Sequence, residues 1–100
     1  MKTVIRSTRF KKDFKRYLNQ PAKIEALRVV VQHLEQTGRV PLEYNPHKLH
    51  GFFEGCMECH IENDFLLIWI DEQTNVIKLL RFAQAQADLR LGSHHELLGI

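Results

Sequence analysis

Several residue types are scarce in this sequence of 100 residues, and each shortage argues against a class of protein. Two cysteines are too few for a scaffold held together by disulfides. No stretch approaches the roughly 18 consecutive apolar residues of a membrane-spanning helix, and residues 1–9 lack the apolar run of a signal peptide. Three prolines and five glycines, without low-complexity tracts, are not the composition of a fibrous chain. We therefore expect a soluble, cytoplasmic protein with reduced thiols and no membrane partner.

The length and composition are those of one globular domain. Typical domains run to about 100–150 residues. Apolar residues make up 44% of the chain and charged residues 26%, which are ordinary values for a folded protein. We expect residues 1–100 to form a single domain with one core.

Charge is distributed unevenly along the chain. Residues 1–28 carry nine basic and two acidic side chains, a net charge of +7, whereas the remaining 72 residues carry −5. A basic segment of this kind indicates a polyanionic partner, because lysine and arginine displace condensed counterions from phosphates. The alternative is a solvated helix face without a partner.

The first half of the sequence predicts one strand and two helices. Residues 3–6 are β-prone, and Ser7 is a good helix N-cap for a basic amphipathic helix that runs from Thr8 to about Leu18. Pro21 suits the first turn of a second helix, and Gly38 ends it. Residues 39–53, with two prolines and a glycine, read as a loop.

The second half predicts three strands joined by short turns. After Gly55 the apolar residues alternate with polar ones up to Glu62, as in a strand with one buried face. Residues 65–70 are continuously apolar, as in a central strand, and residues 76–82 form the third strand. The order β-α-α-β-β-β predicts an α+β fold, a small antiparallel sheet covered on one face by two helices. A short terminal element could follow residue 92.

The run Cys56–His60 matches the C-x-x-C-H pattern of haem attachment. Residues three apart on a strand point to opposite faces, whereas a haem or a disulfide needs both sulfurs together. Zinc would need two further ligands in register. We therefore expect no metal and no cofactor, with Cys59 buried in the core and Cys56 incidental.

A second group of residues, His47, His60, Asp64 and His94, falls in loops or on strands whose ends can converge at one rim of the sheet. Imidazoles and a carboxylate beside a basic surface suit acid/base cleavage of RNA. One group removes the proton of the 2′-hydroxyl and another protonates the departing 5′-oxygen, without a metal. The alternative for each histidine is a surface residue with no role.

Several segments in order, Pro46–Gly51, Glu54–Gly55, Cys59–Trp69, Leu79–Arg81 and Leu91–Leu98, resemble the YafQ branch of the RelE/ParE toxin superfamily. The resemblance spans nearly the whole chain. It implies a bacterial type II toxin that cuts messenger RNA in the ribosomal A site and is silenced by a cognate antitoxin. It leaves open whether the chain forms a homodimer or a toxin–antitoxin heterotetramer.

The resemblance also implies roles for individual residues. The catalytic positions of this branch match His47, His60, Asp64 and His94, and Arg90 matches an arginine that supports phosphate binding. Leu98 stands where the family more often has a phenylalanine that positions a base. The basic residues of the first helix would hold ribosomal RNA through its phosphates; they are Lys11, Lys12, Lys15 and Arg16.

One departure from the family pattern is an insert, Phe82–Leu91, before the final glycine turn. It could displace His94, extend a strand, or form a helix that lets the tail exchange between two copies. It also leaves Arg81 competing with Arg90 for the phosphate role. Two other functions remain open: a ParE-like toxin that binds DNA gyrase without cleavage, and a non-catalytic, toxin-derived binding module.

Overall fold

The computed structural model describes residues 1–51, 54–62, 65–72 and 74–84. Within these ranges no helix is long and apolar enough to cross a membrane. The predicted terminal element and most of the insert lie outside them. The elements in chain order are β1 (Thr3–Arg6), α1 (Thr8–Arg16), α2 (Pro21–Thr37), a 3-10 turn (Leu42–Tyr44), β2 (His47–Lys48), β3 (Cys56–Glu62), β4 (Phe65–Asp71) and β5 (Val76–Gln84).

The helix α1 begins after its predicted cap, Ser7, and α2 begins at the proline predicted for its first turn, Pro21. The Ser7 hydroxyl accepts the backbone N–H of Phe10 at 3.0 Å and donates to the carbonyl of Leu80 at 3.1 Å, so the cap of α1 also ties the helix to β5. The helix ends at Arg16, two residues earlier than expected. Gly38 ends α2 in the left-handed conformation, with a φ of +75°, and its N–H donates to Leu34.

The strands form one five-stranded sheet in the order β1-β5-β4-β3-β2. The predicted antiparallel pairing of β3, β4 and β5 is confirmed. The β1 strand pairs with β5 in parallel, so the sheet is mixed. The prediction of a loop over residues 39–53 is wrong at two residues, because β2 pairs antiparallel with β3.

Apolar side chains are buried on both faces of the sheet. One cluster joins the two helices to the sheet, and it includes Phe10, Leu34 and Leu67. A second cluster lies on the other side and includes Leu66 and Ile68. The β4 strand contributes to both clusters, as its continuous apolar run predicts.

Candidate active site

The pairing of β2 with β3 brings three polar side chains together on one face of the sheet. His47 pairs directly with Glu58, and His60 lies two residues further along β3, so all three project to the same side. Cys59, between them, belongs to the cluster beneath the helices, so the polar group lies on the opposite face. The ring centroids of His47 and His60 are 6.0 Å apart.

The imidazole of His47 is held at both of its nitrogens. Nε2 lies 3.1 Å from Oε1 of Glu58, and Nδ1 lies 2.9 Å from the backbone carbonyl oxygen of Asn45. Asn45 presents this carbonyl from a left-handed conformation, with a φ of 52°, directly after the 3-10 turn. Both partners are acceptors, so the doubly protonated imidazolium is the form that donates to each.

Exposure differs between the two members of this pair. The Glu58 side chain is 16% exposed and that of His47 is 40% exposed. The imidazole is therefore more open to solvent than the carboxylate that it faces.

The ligand atoms of His47, Glu58 and His60 all lie within 4.8 Å of one another. Two imidazoles and a carboxylate suit a transition-metal ion. An ion there would have to replace the direct hydrogen bond from Nε2 of His47 to Glu58. The sequence predicted that His47 and His60 converge, whereas the third member, Glu58, joins them only through the pairing of β2 with β3.

Two of the four predicted catalytic residues, His47 and His60, are described, and the fold places them together. Asp64 and His94 lie outside the described residues, as do Arg90 and Leu98. In the sequence, Glu58 is one of the polar residues that alternate with apolar ones before Glu62, and it carries no further signal. Its pairing with His47 depends on β2, which the sequence did not reveal.

Arg81 has a structural position, contrary to the expectation that it competes for an RNA phosphate. It is 1% exposed, and its Nε and Nη2 donate to the two carboxylate oxygens of Asp13 at 2.7 and 3.1 Å. The register of β4 and β5 shifts between Ile68 and Trp69, and Arg81 lies at this bulge facing α1. A buried guanidinium in this ion pair is not open to nucleic acid.

The outer face of α1 carries positive charge alone. Its only acidic residue, Asp13, is turned inward to Arg81 and is 1% exposed. The helix therefore presents a surface suited to phosphates. The four residues predicted to hold RNA are all exposed there: Lys11, Lys12, Lys15 and Arg16.

The two cysteines lie on opposite faces of the sheet, as their spacing predicts. Both are free thiols, and Cys59 belongs to the cluster beneath the helices while Cys56 belongs to the other. Cys56, expected to be incidental, is also buried. Burial raises the pKa of Cys59 to about 12 and raises that of Cys56 as well, so neither is a reactive thiolate near neutral pH.

Solved structures similar to this chain are bacterial toxins. A metal-bound toxin from Helicobacter pylori is 29% identical, with a TM-score of 0.73, and the match covers 84% of this chain and 94% of that one. YafQ from Escherichia coli BL21(DE3) is 24% identical, with a TM-score of 0.77, over 90% of this chain and 99% of that one. The E. coli DinJ–YafQ complex matches at 22% identity, with a TM-score of 0.75, over 88% and 98% of the chains.

No curated protein sequence matches the chain. The YafQ family, described as bacterial toxins of type II toxin–antitoxin systems, matches residues 2–99, which is nearly the whole sequence. The two helices over a mixed sheet agree with the fold of the solved YafQ structures. The chain therefore belongs to the YafQ family and is a toxin of a type II toxin–antitoxin system.

Proposed function

We propose that this toxin is an endoribonuclease that cleaves messenger RNA on the ribosome and so inhibits translation. The observation that carries the proposal is the group formed by His47, Glu58 and His60 on one face of the sheet. Structural ion pairs also bring charged groups together, but this group contains two imidazoles beside each other and one of them is open to solvent. Imidazoles are the side chains best suited to exchange protons near neutral pH.

The proposed reaction is attack of a 2′-hydroxyl on the adjacent phosphorus. A base removes the hydroxyl proton, an acid protonates the 5′-oxygen that leaves, and a cation offsets the charge that develops on the phosphate. Both nitrogens of His47 face acceptors, so in this proposal the protonated imidazole serves as the cation or the acid. His60, its neighbour, then takes part in removing the proton.

Glu58 acts through His47 in this scheme. Its carboxylate lies 3.1 Å from Nε2 while the Asn45 carbonyl oxygen lies 2.9 Å from Nδ1, so rotation of the ring would move its nitrogens away from these acceptors. Fixed orientation of this kind lowers the reorganisation required at the moment of reaction. The family resemblance implies that Asp64 and His94 also take part in proton transfer. It further implies that Arg90 supports phosphate binding and that Leu98 helps to position a base.

The basic face of α1 would contact ribosomal RNA. Contacts between lysine or arginine and phosphates set the position of a protein on nucleic acid and carry no sequence information. The helix exposes the side chains of Lys11, Lys12 and Lys15, and it carries no exposed carboxylate beside them. The position of cleavage would then depend on which bases lie beside the group of His47, Glu58 and His60.

The partner that silences the toxin would be an antitoxin protein. YafQ from E. coli forms a complex with DinJ, and YoeB from Staphylococcus aureus forms a heterotetramer with YefM. We propose a cognate antitoxin for this chain in the same kind of heteromeric assembly.

The test is primer-extension mapping of one messenger RNA in a purified translation reaction. The wild-type chain should produce cuts at fixed positions within codons, and only when ribosomes are present. His47→Ala and His60→Ala should each lower cleavage by at least about a hundredfold. His33→Ala, on α2 and outside the group, is the matched control and should cut like the wild type.

Parallel reactions with a chelator and with added Cu²⁺ separate proton chemistry from a metal mechanism. Cleavage should survive the chelator, and copper should inhibit it by occupying the histidine group. If the folded wild-type chain leaves the message intact on ribosomes, the nuclease proposal fails. Inhibition of DNA supercoiling by gyrase would then indicate the ParE-like function.

A further inference from the structure

The end of β3 that follows His60 is irregular. The register between β3 and β4 shifts between His60 and Glu62, and Glu62 then pairs with Phe65, a member of the cluster beneath the helices. Directly paired residues project to the same face of a sheet, so the shift turns Glu62 away from the face that carries His60. Because the regular pairing is interrupted here, contacts from outside the sheet gain importance in holding this strand end.

One lysine of α2 contacts both strands at this point. Nζ of Lys23 lies 3.4 Å from Oε2 of Glu62, at the end of β3. The same atom lies over the ring of Phe65, at the start of β4, 4.3 Å from its centre. An ammonium within about 6 Å of an aromatic ring is attracted to the negative face of the ring. Lys23 therefore joins the helix layer to both strand ends.

The ring of Phe65 is the firmer of the two partners. Phe65 is 2% exposed, and its ring lies edge-on to Tyr17 and tilted against Phe82, with centroid distances of 4.7 and 4.8 Å. Contacts of this kind limit the orientation of an aromatic ring. The Glu62 side chain, in contrast, is 43% exposed, and exposed ion pairs contribute little. The cation over the ring is thus the contact that fixes Lys23 to the sheet.

The strand ends that Lys23 contacts adjoin the proposed active site. His60 lies two residues before Glu62 on β3, and two residues, one of them Asp64, connect Glu62 to Phe65 in the chain. A shift of these strand ends would displace the backbone that carries proposed proton-transfer groups. Displacement of a reacting group by about 1 Å can lower a reaction rate by about a hundredfold.

Lys23 lies on the wrong face of the sheet to bind RNA beside these groups. Its aromatic partner belongs to the cluster beneath the helices, whereas His47 and His60 project from the opposite face. Its ammonium already has two partners, and its side chain is 28% exposed. The exposed lysines on the outer face of α1 are suited to phosphates, but Lys23 is suited to hold the strands.

We propose that Lys23 is a positioning residue for RNA cleavage. Its ammonium, held over the Phe65 ring, fixes the adjoining ends of β3 and β4 and thereby the orientation of His60. This inference rests on the proposed nuclease function. Both partners of Lys23 attract a cation, so the positive charge is what the contact requires. Loss of that charge should slow the chemical step and leave the binding of the ribosome unchanged.

The experiment measures kcat and KM separately for cleavage of ribosome-bound messenger RNA by the full-length chain. Lys23→Met keeps an unbranched side chain but removes the charge, and it should lower kcat by about tenfold with KM changed by less than about twofold. Lys23→Arg should restore kcat, because a guanidinium also binds over an aromatic ring. Glu62→Ala leaves Phe65 as a partner and should cut nearly as fast as the wild type.

The matched control is Lys2→Met, the same change at a lysine in a similar setting. The Lys2 side chain is 27% exposed and lies 3.7 Å from Asp71, at the other end of β4 and roughly 20 Å along the strand from Phe65. Urea unfolding should show a small loss of stability for both methionine variants. Only Lys23→Met should cut slowly, which separates positioning of the site from a general effect on the fold.

The positioning proposal is overturned if Lys23→Met cuts as fast as the wild type, if Lys23→Arg does not restore kcat, or if Lys2→Met slows cleavage equally. It is also overturned if Lys23→Met raises KM and lowers the salt dependence of ribosome binding at unchanged kcat, which would make Lys23 a phosphate contact. In each of these cases the wild type still cuts, and the nuclease proposal stands. If the wild type leaves the message intact, both proposals fail.

Discussion

The guanidinium of Arg81 and the carboxylate of Asp13 lie 2.7 Å apart in the interior of the protein, although 68 residues separate them in the sequence. Each is 1% exposed, and the same carboxylate accepts the backbone N–H of Phe82 at 3.1 Å. The pair joins the basic helix α1 to the bulged strand β5. It also removes the only negative charge of α1 from the surface.

Breaking this buried pair should destabilise the fold strongly. Asp13→Asn leaves the guanidinium of Arg81 in the interior without its counter-charge, which costs about 3–5 kcal/mol in comparable buried pairs. Urea unfolding followed by circular dichroism measures the change. The double variant Asp13→Leu/Arg81→Met should recover much of the loss, because it removes both charges together.

The exposed pair of Glu25 and Arg28 provides the control for that experiment. Arg28 donates to Glu25 at 2.6 Å, and the hydrogen bond from Arg28 lowers the pKa of Glu25, but both side chains are 60% exposed. Glu25→Gln should leave the unfolding midpoint almost unchanged. If Asp13→Asn and Glu25→Gln lowered the free energy of unfolding equally, burial of the Asp13–Arg81 pair would not be the source of its stabilising effect.

Glu58→Ala should reduce RNA cleavage by about tenfold to a hundredfold through loss of the orientation of His47. Single-turnover cleavage of a ribosome-bound message measures this loss directly. The control is Glu62→Ala, on the same strand, whose carboxylate is instead paired with Lys23 at 3.4 Å. Glu58→Gln tests the charge itself, since it retains an oxygen acceptor for Nε2. If Glu58→Ala cleaved as fast as the wild type, cleavage would not depend on the orientation of His47 by Glu58.

Loss of charge from α1 should weaken binding to ribosomes more at low salt than at high salt. In the variant Lys12→Ala/Lys15→Ala, each lost phosphate contact should lower the slope of log affinity against log salt by about 0.7–0.9. Filter binding at several salt concentrations measures the slope. Arg28→Ala removes a positive charge that is already paired on α2, so its slope should match that of the wild type. An unchanged slope for the double lysine variant would place the RNA surface elsewhere.

The thiols should react slowly in the folded protein. Burial raises the pKa of Cys59 from 9.0 to about 12, so folding favours the neutral thiol. That preference is fully present below pH 9 and is lost as the pH rises towards 12. A colourimetric thiol reagent at pH 8 should find no rapidly reacting thiol in the native chain and both thiols in guanidinium chloride. A rapid native reaction at Cys59 would show that the strand opens readily.

The two helices and the longer strands follow from short-range patterns in the sequence. The Ser7 cap, Pro21 at the first turn of α2 and the left-handed Gly38 act through hydrogen bonds and backbone angles within a few residues. The alternation of apolar and polar residues along β3 and the continuous apolar run of β4 indicate which of their side chains are buried. Such signals can be read without knowledge of the fold.

Strand neighbours carry no comparable signal, and the site depends on them. The β2 strand has two residues, too short for a periodic pattern, yet its pairing sets Glu58 against His47. The role of Arg81 was misjudged for the same reason, because Asp13 is distant in sequence and the bulge that turns Arg81 towards it arises only in the paired sheet.

The sequence by itself therefore determined the order of the elements, the basic character of α1 and the histidines that merit attention, because these are properties of local composition and spacing. The tertiary structure decided which side chains meet. It placed β1 parallel to β5, buried Arg81 against Asp13, and held His47 between Asn45 and Glu58. Contacts of that kind arise from the packing of distant segments, which share one core but no local pattern.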